Sequence, residues 1–170
     1  MPKSPTLHLV CGKIAAGKST LCRQLATEAG TVLLSEDDWL AGLYPGEISS
    51  LPDYVRCSGR LRALIGPHVA DLLRAGISVV LDFPANTLAT RAWMRSIIEA
   101  SRAAHALHLL ELDDETCKAR LRRRNAGGEH AFQASEAEFD LFTRHFVPPQ
   151  AEEGFDVVRY SGDMAKNGAK

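Results

Sequence analysis

Gly12-Lys13-Ile14-Ala15-Ala16-Gly17-Lys18-Ser19 directly follows the apolar run Leu7-His8-Leu9-Val10-Cys11, and these two stretches together decide the fold. A G-x-x-x-x-G-K-S spacing between a buried strand and a helix is typical of a phosphate-binding loop. Its glycines let the backbone curl so that successive N–H groups point at one phosphate group. We therefore expect residues 12–20, ending with Thr20, to bind a nucleoside triphosphate.

Two side chains of this loop have specific chemistry. The Lys18 ammonium is expected to bind the β- and γ-phosphate oxygens, and the Ser19 hydroxyl is expected to bind Mg²⁺. A helix that begins near Gly17 adds the positive end of its dipole to the same site. Gly30 is expected to follow the end of that helix, where a glycine is favoured.

The composition is that of an ordinary globular domain. The chain has 170 residues, of which 45% are hydrophobic and 24% charged, so one domain is expected. Its net charge of −1 provides no basic field for nucleic acid. No apolar run approaches the ~20 residues of a membrane span, and no signal-peptide core follows the first residues, which favours the cytoplasm. The cysteines show no C-x-x-C pair, so buried reduced thiols are expected at Cys11, Cys22, Cys57 and Cys117.

Apolar, β-rich runs alternate with helical patterns along the chain. The five runs span 7–11, 31–34, 77–83, 106–112 and 155–160. Such alternation predicts right-handed crossovers and a mainly parallel sheet covered by helices on both faces. A loop over 44–52 is expected to fold over the substrate, and a helix is expected to kink or restart at Gly66-Pro67. Asn86 or Thr87 is expected to cap the helix after the third run.

Carboxylates follow the second and third runs, at the sheet edge where open α/β sheets bind ligands. The stretch Ser35-Glu36-Asp37-Asp38 begins a helix, so Ser35 or Asp37 can serve as its N-cap. Asp37 can also serve as a reactive carboxylate in the same turn. Asp82 emerges where its strand ends, and it is expected to complete the Mg²⁺ site of the loop serine.

Arginines cluster near the end of a later helix, just before Gly127-Gly128. Arg120 and Arg124 share a helix face at an i, i+4 spacing, with Arg123 beside them. Arginines next to a flexible segment suit a lid over 120–135 that closes on phosphates. The alternative is a basic helix end that is favourable to the helix dipole. A second set of arginines either forms a solvated face or lines a pocket for an anionic substrate. It consists of Arg56, Arg60 and Arg62.

Two segments resemble P-loop kinases, in particular polynucleotide 5′-kinases, zeta toxins and chloramphenicol phosphotransferases. They are Leu34-Ser35-Glu36-Asp37-Asp38-Trp39 and the run Val79-Val80-Leu81-Asp82 with Asn86-Thr87-Leu88 after it. The resemblance implies a P-loop NTPase fold, a three-layer α/β/α sandwich with five strands in the order 2-3-1-4-5. It also implies that Asp37 is the general base for the acceptor hydroxyl. An arginine that often contacts the acceptor in the polynucleotide enzymes is Leu40 here, which disfavours a polynucleotide substrate.

We therefore expect an ATP-dependent kinase that uses Mg²⁺ and transfers the γ-phosphoryl group to a hydroxyl of a small molecule. Lys18, Asp37, Arg120 and Arg124 are the expected catalytic residues, and Arg123 is expected to contact the nucleotide. Apolar walls for the acceptor are expected from Trp39, Leu40, Leu43 and Tyr44.

Two alternatives stay open: an ATP-binding switch with weak hydrolysis, and a toxin-like or polynucleotide 5′-hydroxyl kinase. The expected partners are ATP and the acceptor, without membrane or nucleic acid, and the oligomeric state is left open.

Overall fold

The computed structural model describes residues 3–128 and 133–162, and one five-stranded sheet forms its centre. The strands are β1 (Thr6–Cys11), β2 (Thr31–Ser35), β3 (Ser78–Pro84), β4 (Ala104–Glu111) and β5 (Val157–Ser161). They lie in the order β2-β3-β1-β4-β5, and every neighbouring pair is parallel. The expected P-loop NTPase fold and its strand order are confirmed.

Helices cover the sheet on both faces. They are α1 (Lys18–Leu25), α2 (Glu36–Leu43), α3 (Leu51–Arg74), α4 (Leu88–Ser101), α5 (Asp114–Gly127) and α6 (Glu136–Arg144), with a 3₁₀ turn at Ala151–Glu153. Because strand side chains alternate between the two faces, Leu7 and Leu9 enter a core formed with α3 and α4. Val10 enters a second core formed with α1, α5 and α6.

The strand order brings the expected site residues to one edge of the sheet. β1 lies beside β3, and β3 lies beside β2, so the segments that follow these strands are neighbours. In the β2–β3 ladder, Ser35 is the partner of Asp82. The phosphate loop after β1, the acidic turn after β2 and the carboxylate near the end of β3 therefore meet.

The middle of α3 differs from the expectation. The helix continues from Leu51 to Arg74 with Pro67 inside it, so of the kink or restart expected at Gly66-Pro67 the restart does not occur. A proline removes one helical hydrogen bond. However, side chains on both sides of Pro67 are buried in one core, among them Ile65 and Val69. This packing holds the two halves in one helix.

Two helix ends also differ from the expectation. α3 begins at Leu51, because Ser50 Oγ accepts a hydrogen bond of 3.3 Å from the Asp53 N–H and a proline is tolerated in a first turn. The loop expected over 44–52 therefore ends at residue 50. α1 ends at Leu25, and Gly30 instead lies in the turn before β2 with a φ of 76°.

All four cysteines are buried as free thiols, as expected. Within residues 3–128 and 133–162, the helices are too short or too polar to cross a membrane.

Candidate functional site

The two glycines of the phosphate loop are required for different reasons. Gly17 has a φ of 100°, a left-handed conformation that strains residues with a side chain. A Cβ atom on Gly12 would lie 3.2 Å from both the Cβ atom and the carbonyl oxygen of Leu110 on β4. The loop thus turns sharply at Gly17 and packs tightly on the sheet at Gly12.

Lys18 stands at the beginning of α1 and reaches back across the loop. Its Nζ atom donates hydrogen bonds of 2.7 Å to the carbonyl oxygens of Gly12 and Lys13. Burial lowers the pKa of Lys18, and the nearby Asp82 carboxylate opposes that shift. The ammonium therefore lies inside the curl of the loop and close to the end of β3.

Asp37 lies in the first turn of α2, but it does not cap the helix. The N-cap is Ser35, whose Oγ atom accepts a hydrogen bond of 3.4 Å from the Asp38 N–H. Although part of the Asp37 side chain reaches solvent, partial burial raises its pKa, and the carboxylates of Glu36, Asp82 and Asp38 raise it further. A carboxylate with a raised pKa is a stronger base.

Charges from distant parts of the sequence act on one another at this edge. Lys18 opposes the rise in the pKa of Asp37. Burial lowers the pKa of Arg124, and Asp37 opposes that shift. The structure thus brings together Lys18, Asp37, Asp82 and Arg124 from the first turns of α1 and α2, the end of β3 and α5.

The donor set of this edge fits Mg²⁺. Ser19 offers a hydroxyl oxygen at the beginning of α1, and Asp82 offers a carboxylate beside Lys18. Mg²⁺ binds hard oxygen ligands and often uses one or two protein oxygens together with substrate phosphates. In the described part of the chain, no three His, Cys, Asp or Glu side chains form a metal cluster, and a site of this kind does not need one.

The arginines of α5 separate into different environments. Arg120 Nη1 donates a hydrogen bond of 3.4 Å to the carbonyl oxygen of Ala16 in the phosphate loop. Arg124 is half-buried, whereas Arg123 is exposed. Arg120 therefore contacts the loop, and Arg124 lies close enough to Lys18 and Asp37 for their charges to interact. The lid expected over 120–135 includes residues 129–132, which lie outside the described residues.

Either Asn86 or Thr87 was expected to cap α4, and the cap is Thr87, which accepts a hydrogen bond of 3.2 Å from the Thr90 N–H. Asn86 instead contacts the phosphate loop. Its Oδ1 atom accepts a hydrogen bond of 3.0 Å from the Gly12 N–H, and its Nδ2 atom donates one of 2.8 Å to the Gly12 carbonyl. Sequence reasoning missed this contact, because Asn86 and Thr87 are both residue types that cap helices and a cap was the role considered for them.

A buried ion pair lies behind this contact. Arg91 of α4 is fully buried and binds both carboxylate oxygens of Glu153, at 2.7 and 3.0 Å. It also donates hydrogen bonds to the carbonyl oxygens of Ala85 at 2.9 Å and Val147 at 2.6 Å. Arg91 therefore ties the segment after α6 to the end of β3.

A second buried ion pair lies next to Asp37. Glu36 is 1% exposed, and its carboxylate accepts hydrogen bonds from the Tyr54 hydroxyl and from Arg62 Nη2, the latter at 3.2 Å. The Arg62 guanidinium also lies 5.7 Å from the ring centre of Trp93. Sequence reasoning missed this cluster, for which the only signal was Tyr54 and Arg62 on one face of α3.

The three arginines of α3 therefore do not line an open pocket for an anionic substrate. Arg62 is paired with Glu36, and Arg56 forms an ion pair of 2.9 Å with Asp53. Arg60 is exposed.

The expected apolar walls are only partly present. Trp39 is 37% and Leu43 51% exposed, so both can contact a ligand. Leu40, in contrast, is fully buried in the core with α3, because it lies on the inner face of α2. Its expected place in the acceptor wall was wrong, and Tyr44 is partly buried against the same core.

A separate shallow cavity lies on the other side of the loop. It has a volume of about 340 Å³, and residues from the loop, the end of β4 and the segment after α6 line it, including Lys13, Leu112, Phe146 and Pro148. Lys13 also forms an ion pair with Asp114 at the start of α5.

Comparison with known protein families gives one match for this chain. A family model described as an AAA domain, AAA_33, matches residues 7–149. No protein of curated function shows significant similarity to the chain.

Solved structures share the fold along most of the chain. A candidate kinase from Chloroflexus aurantiacus J-10-fl has a TM-score of 0.76 at 21% identity, over 96% of this chain and 88% of that one. A chain of the Pnkp1/Rnl/Hen1 RNA repair complex has a TM-score of 0.64 at 18% identity, over 85% of this chain and 45% of that one. The APS kinase CysC of Mycobacterium tuberculosis, in complex with AMPPNP and APS, has a TM-score of 0.61 at 20% identity, over 95% of this chain and 91% of that one. At these identities the likeness shows the fold, which is that of P-loop kinases.

Proposed function

We propose, from the premise that the chain belongs to the AAA_33 family of AAA domains, that it transfers the γ-phosphoryl group of ATP to a hydroxyl of a small molecule. The observation that carries the proposal is the meeting of Lys18, Asp37, Asp82 and Arg124 at one edge of the sheet. A nucleotide switch needs the loop and a metal ligand. An acceptor hydroxyl needs, in addition, a base that takes its proton, and the Asp37 carboxylate with its raised pKa lies beside the loop and can serve as that base.

In the proposed reaction the acceptor oxygen attacks the γ-phosphorus of ATP, and the bond from that phosphorus to the β–γ bridging oxygen breaks. The hydroxyl proton passes to the Asp37 carboxylate, and the products are ADP and a phosphate monoester. Lys18, Arg120 and Arg124 stabilise the charge on the phosphate oxygens, which is the main protein contribution in such reactions. Ser19 and Asp82 would hold Mg²⁺, which neutralises phosphate charge when it is bound.

The charge around Asp37 favours an acceptor that is neutral or cationic. Segment 36–62 carries five carboxylates against three arginines. Glu36 neutralises Arg62, and Asp53 pairs with Arg56. An acidic acceptor would therefore approach a net negative surface, which disfavours its binding. The exposed Trp39 ring suits a compact, partly apolar molecule.

The test is transfer of labelled phosphate from ATP to matched acceptors. The panel contains neutral sugars and alcohols, amino sugars, the corresponding sugar acids and a 5′-hydroxyl oligonucleotide. We expect labelling of neutral or amine-bearing acceptors. Asp37→Asn should lower transfer by roughly 10²–10⁴-fold while MgATP affinity is retained.

The other outcomes have definite meanings. Efficient labelling of the oligonucleotide, with a steep loss of binding as salt rises, would support a polynucleotide 5′-hydroxyl kinase instead. Phosphate release without any labelled acceptor, unchanged in Asp37→Asn, would support a switch with weak hydrolysis.

A further inference from the structure

The Asn86 side chain binds both backbone polar groups of one loop residue. Its amide accepts a hydrogen bond from the Gly12 N–H at 3.0 Å and donates one to the Gly12 carbonyl at 2.8 Å. These two groups belong to successive peptide units, so a single side chain fixes the orientation of both. Such a contact restricts the backbone at the point where β1 becomes the phosphate loop.

The same Gly12 carbonyl also binds the reactive ammonium of the loop. Lys18 Nζ donates to this oxygen at 2.7 Å. The direction in which the carbonyl points therefore affects where the ammonium lies. On the side of β4, Leu110 lies so close that a Cβ atom on Gly12 would be 3.2 Å from it, so the backbone of Gly12 packs tightly there. Asn86 and Leu110 thus hold the beginning of the loop between them.

Asn86 is itself held in place by rigid neighbours. Its backbone carbonyl oxygen accepts a hydrogen bond of 2.9 Å from the Val147 N–H. The preceding residue, Ala85, donates through its N–H to the Val10 carbonyl and accepts from the fully buried Arg91, both at 2.9 Å. A side chain that extends from such a fixed backbone can transmit its position to the loop.

We propose that Asn86 is a positioning residue of the phosphate loop, which sets the path of Gly12 so that the loop N–H groups and Lys18 are preorganised for phosphate. The inference rests on the proposed function, because the loop must bind ATP for its position to matter. Preorganisation raises affinity by removing the cost of ordering the loop when the ligand binds. Asn86 does not need to touch the nucleotide for this effect.

The test compares MgATP affinity in the wild-type chain and in two variants, by calorimetric titration. Asn86→Ala removes both hydrogen bonds that order the loop at Gly12. Their loss should lower the affinity for MgATP by about tenfold. Asn86→Asp is nearly isosteric and can still accept from the Gly12 N–H, but its carboxylate repels the Gly12 carbonyl. We expect it to bind at least as weakly as Asn86→Ala, and it keeps the test open if the alanine variant does not fold.

Two further measurements separate positioning from a general loss of structure. Amide exchange at Gly12, followed by NMR, should be faster in Asn86→Ala than in the wild-type chain. The matched control is Thr87→Ala, which removes the N-cap of α4 one residue away. It should lower the melting temperature while MgATP affinity stays within about twofold of wild type.

Each outcome decides the question. MgATP affinity within about twofold of wild type in a folded Asn86 variant would overturn the inference, and so would an equal loss in Thr87→Ala. A wild-type chain that does not bind MgATP would overturn the proposed function, and this inference with it.

Discussion

Replacing His108 by glutamine should make the free energy of unfolding fall less when the pH is lowered. His108 lies on β4 and is 4% exposed. Its Nε2 atom is 3.1 Å from His8 Nδ1, and its Nδ1 atom is 2.8 Å from the Tyr160 hydroxyl. Burial and the neighbouring His8 ring lower the pKa of His108 from 6.5 to about 4. The folded chain therefore keeps this ring neutral at a pH where the unfolded chain protonates it.

The sign and the size of the effect follow from that difference. Between pH 6.5 and about 4 the unfolded chain binds a proton that the folded chain does not, so the free energy of unfolding falls as the pH falls. At about 1.4 kcal/mol per pKa unit, the loss between pH 7 and pH 4.5 is about 2 kcal/mol. The pKa of His8 is also lowered, chiefly by burial, which adds a loss in the same direction.

Urea unfolding at pH 7 and pH 4.5 measures this difference. His108→Gln loses hydrogen bonds at both pH values, and that loss cancels when the two pH values are compared within one variant. The drop in unfolding free energy should therefore be about 2 kcal/mol smaller in His108→Gln than in the wild-type chain. His68→Gln, at an exposed position on α3, is the control and should behave like the wild-type chain. An equal drop in all three proteins, or a His108 ring that titrates near 6.5 by NMR, would refute the reasoning.

Further predictions concern the site and its supports. Lys18→Ala should weaken MgATP binding strongly without unfolding the chain, and unchanged affinity by calorimetry would contradict the role of the loop. Glu153→Gln should lower the free energy of unfolding, measured in urea, by about 3 kcal/mol, because it leaves the fully buried Arg91 without a counter-charge. A loss no larger than that of a typical surface substitution would contradict this role of Glu153. kcat/KM should rise with pH through the pKa of Asp37, which is raised above its usual value; if the same rise persists in Asp37→Asn, it belongs to another group. Hydrogen exchange over 120–127 should slow when MgATP and the acceptor bind together, and no change there would make these arginines an ordinary basic helix end.

The parts of the site that sequence predicts best are those fixed by local rules. The phosphate loop needs a left-handed residue at Gly17 and close backbone approach at Gly12, and only glycine meets both demands. Asp82 is predictable because an apolar strand that ends in an acid places it at the sheet edge. The strand order came from the resemblance to P-loop kinases, since alternation alone does not distinguish the possible orders.

The parts that sequence misses depend on partners far along the chain. Glu36 lies next to Asp37 in an acidic turn, and its burial depends on Tyr54 and Arg62, which α3 brings to it. Asn86 has a residue type that favours helix caps, so local reasoning assigned it a local role. Pro67 was expected to kink the helix or make it restart, because proline has a poor helix propensity, but tertiary packing keeps one continuous helix across it.

The two buried ion pairs help to distinguish structural arginines from those available to phosphate. Arg62 and Arg91 each neutralise a carboxylate, Glu36 and Glu153, and each ties one helix to a neighbouring segment. Arg124 differs from Arg91, because its buried Nε atom, like that of Arg62, has no hydrogen-bond partner among the described residues. A buried donor without a partner is unfavourable, and an anion that approaches the loop can satisfy it. Of the three arginines expected in the lid, Arg124 is therefore better placed than the exposed Arg123 to gain a bond when phosphate binds.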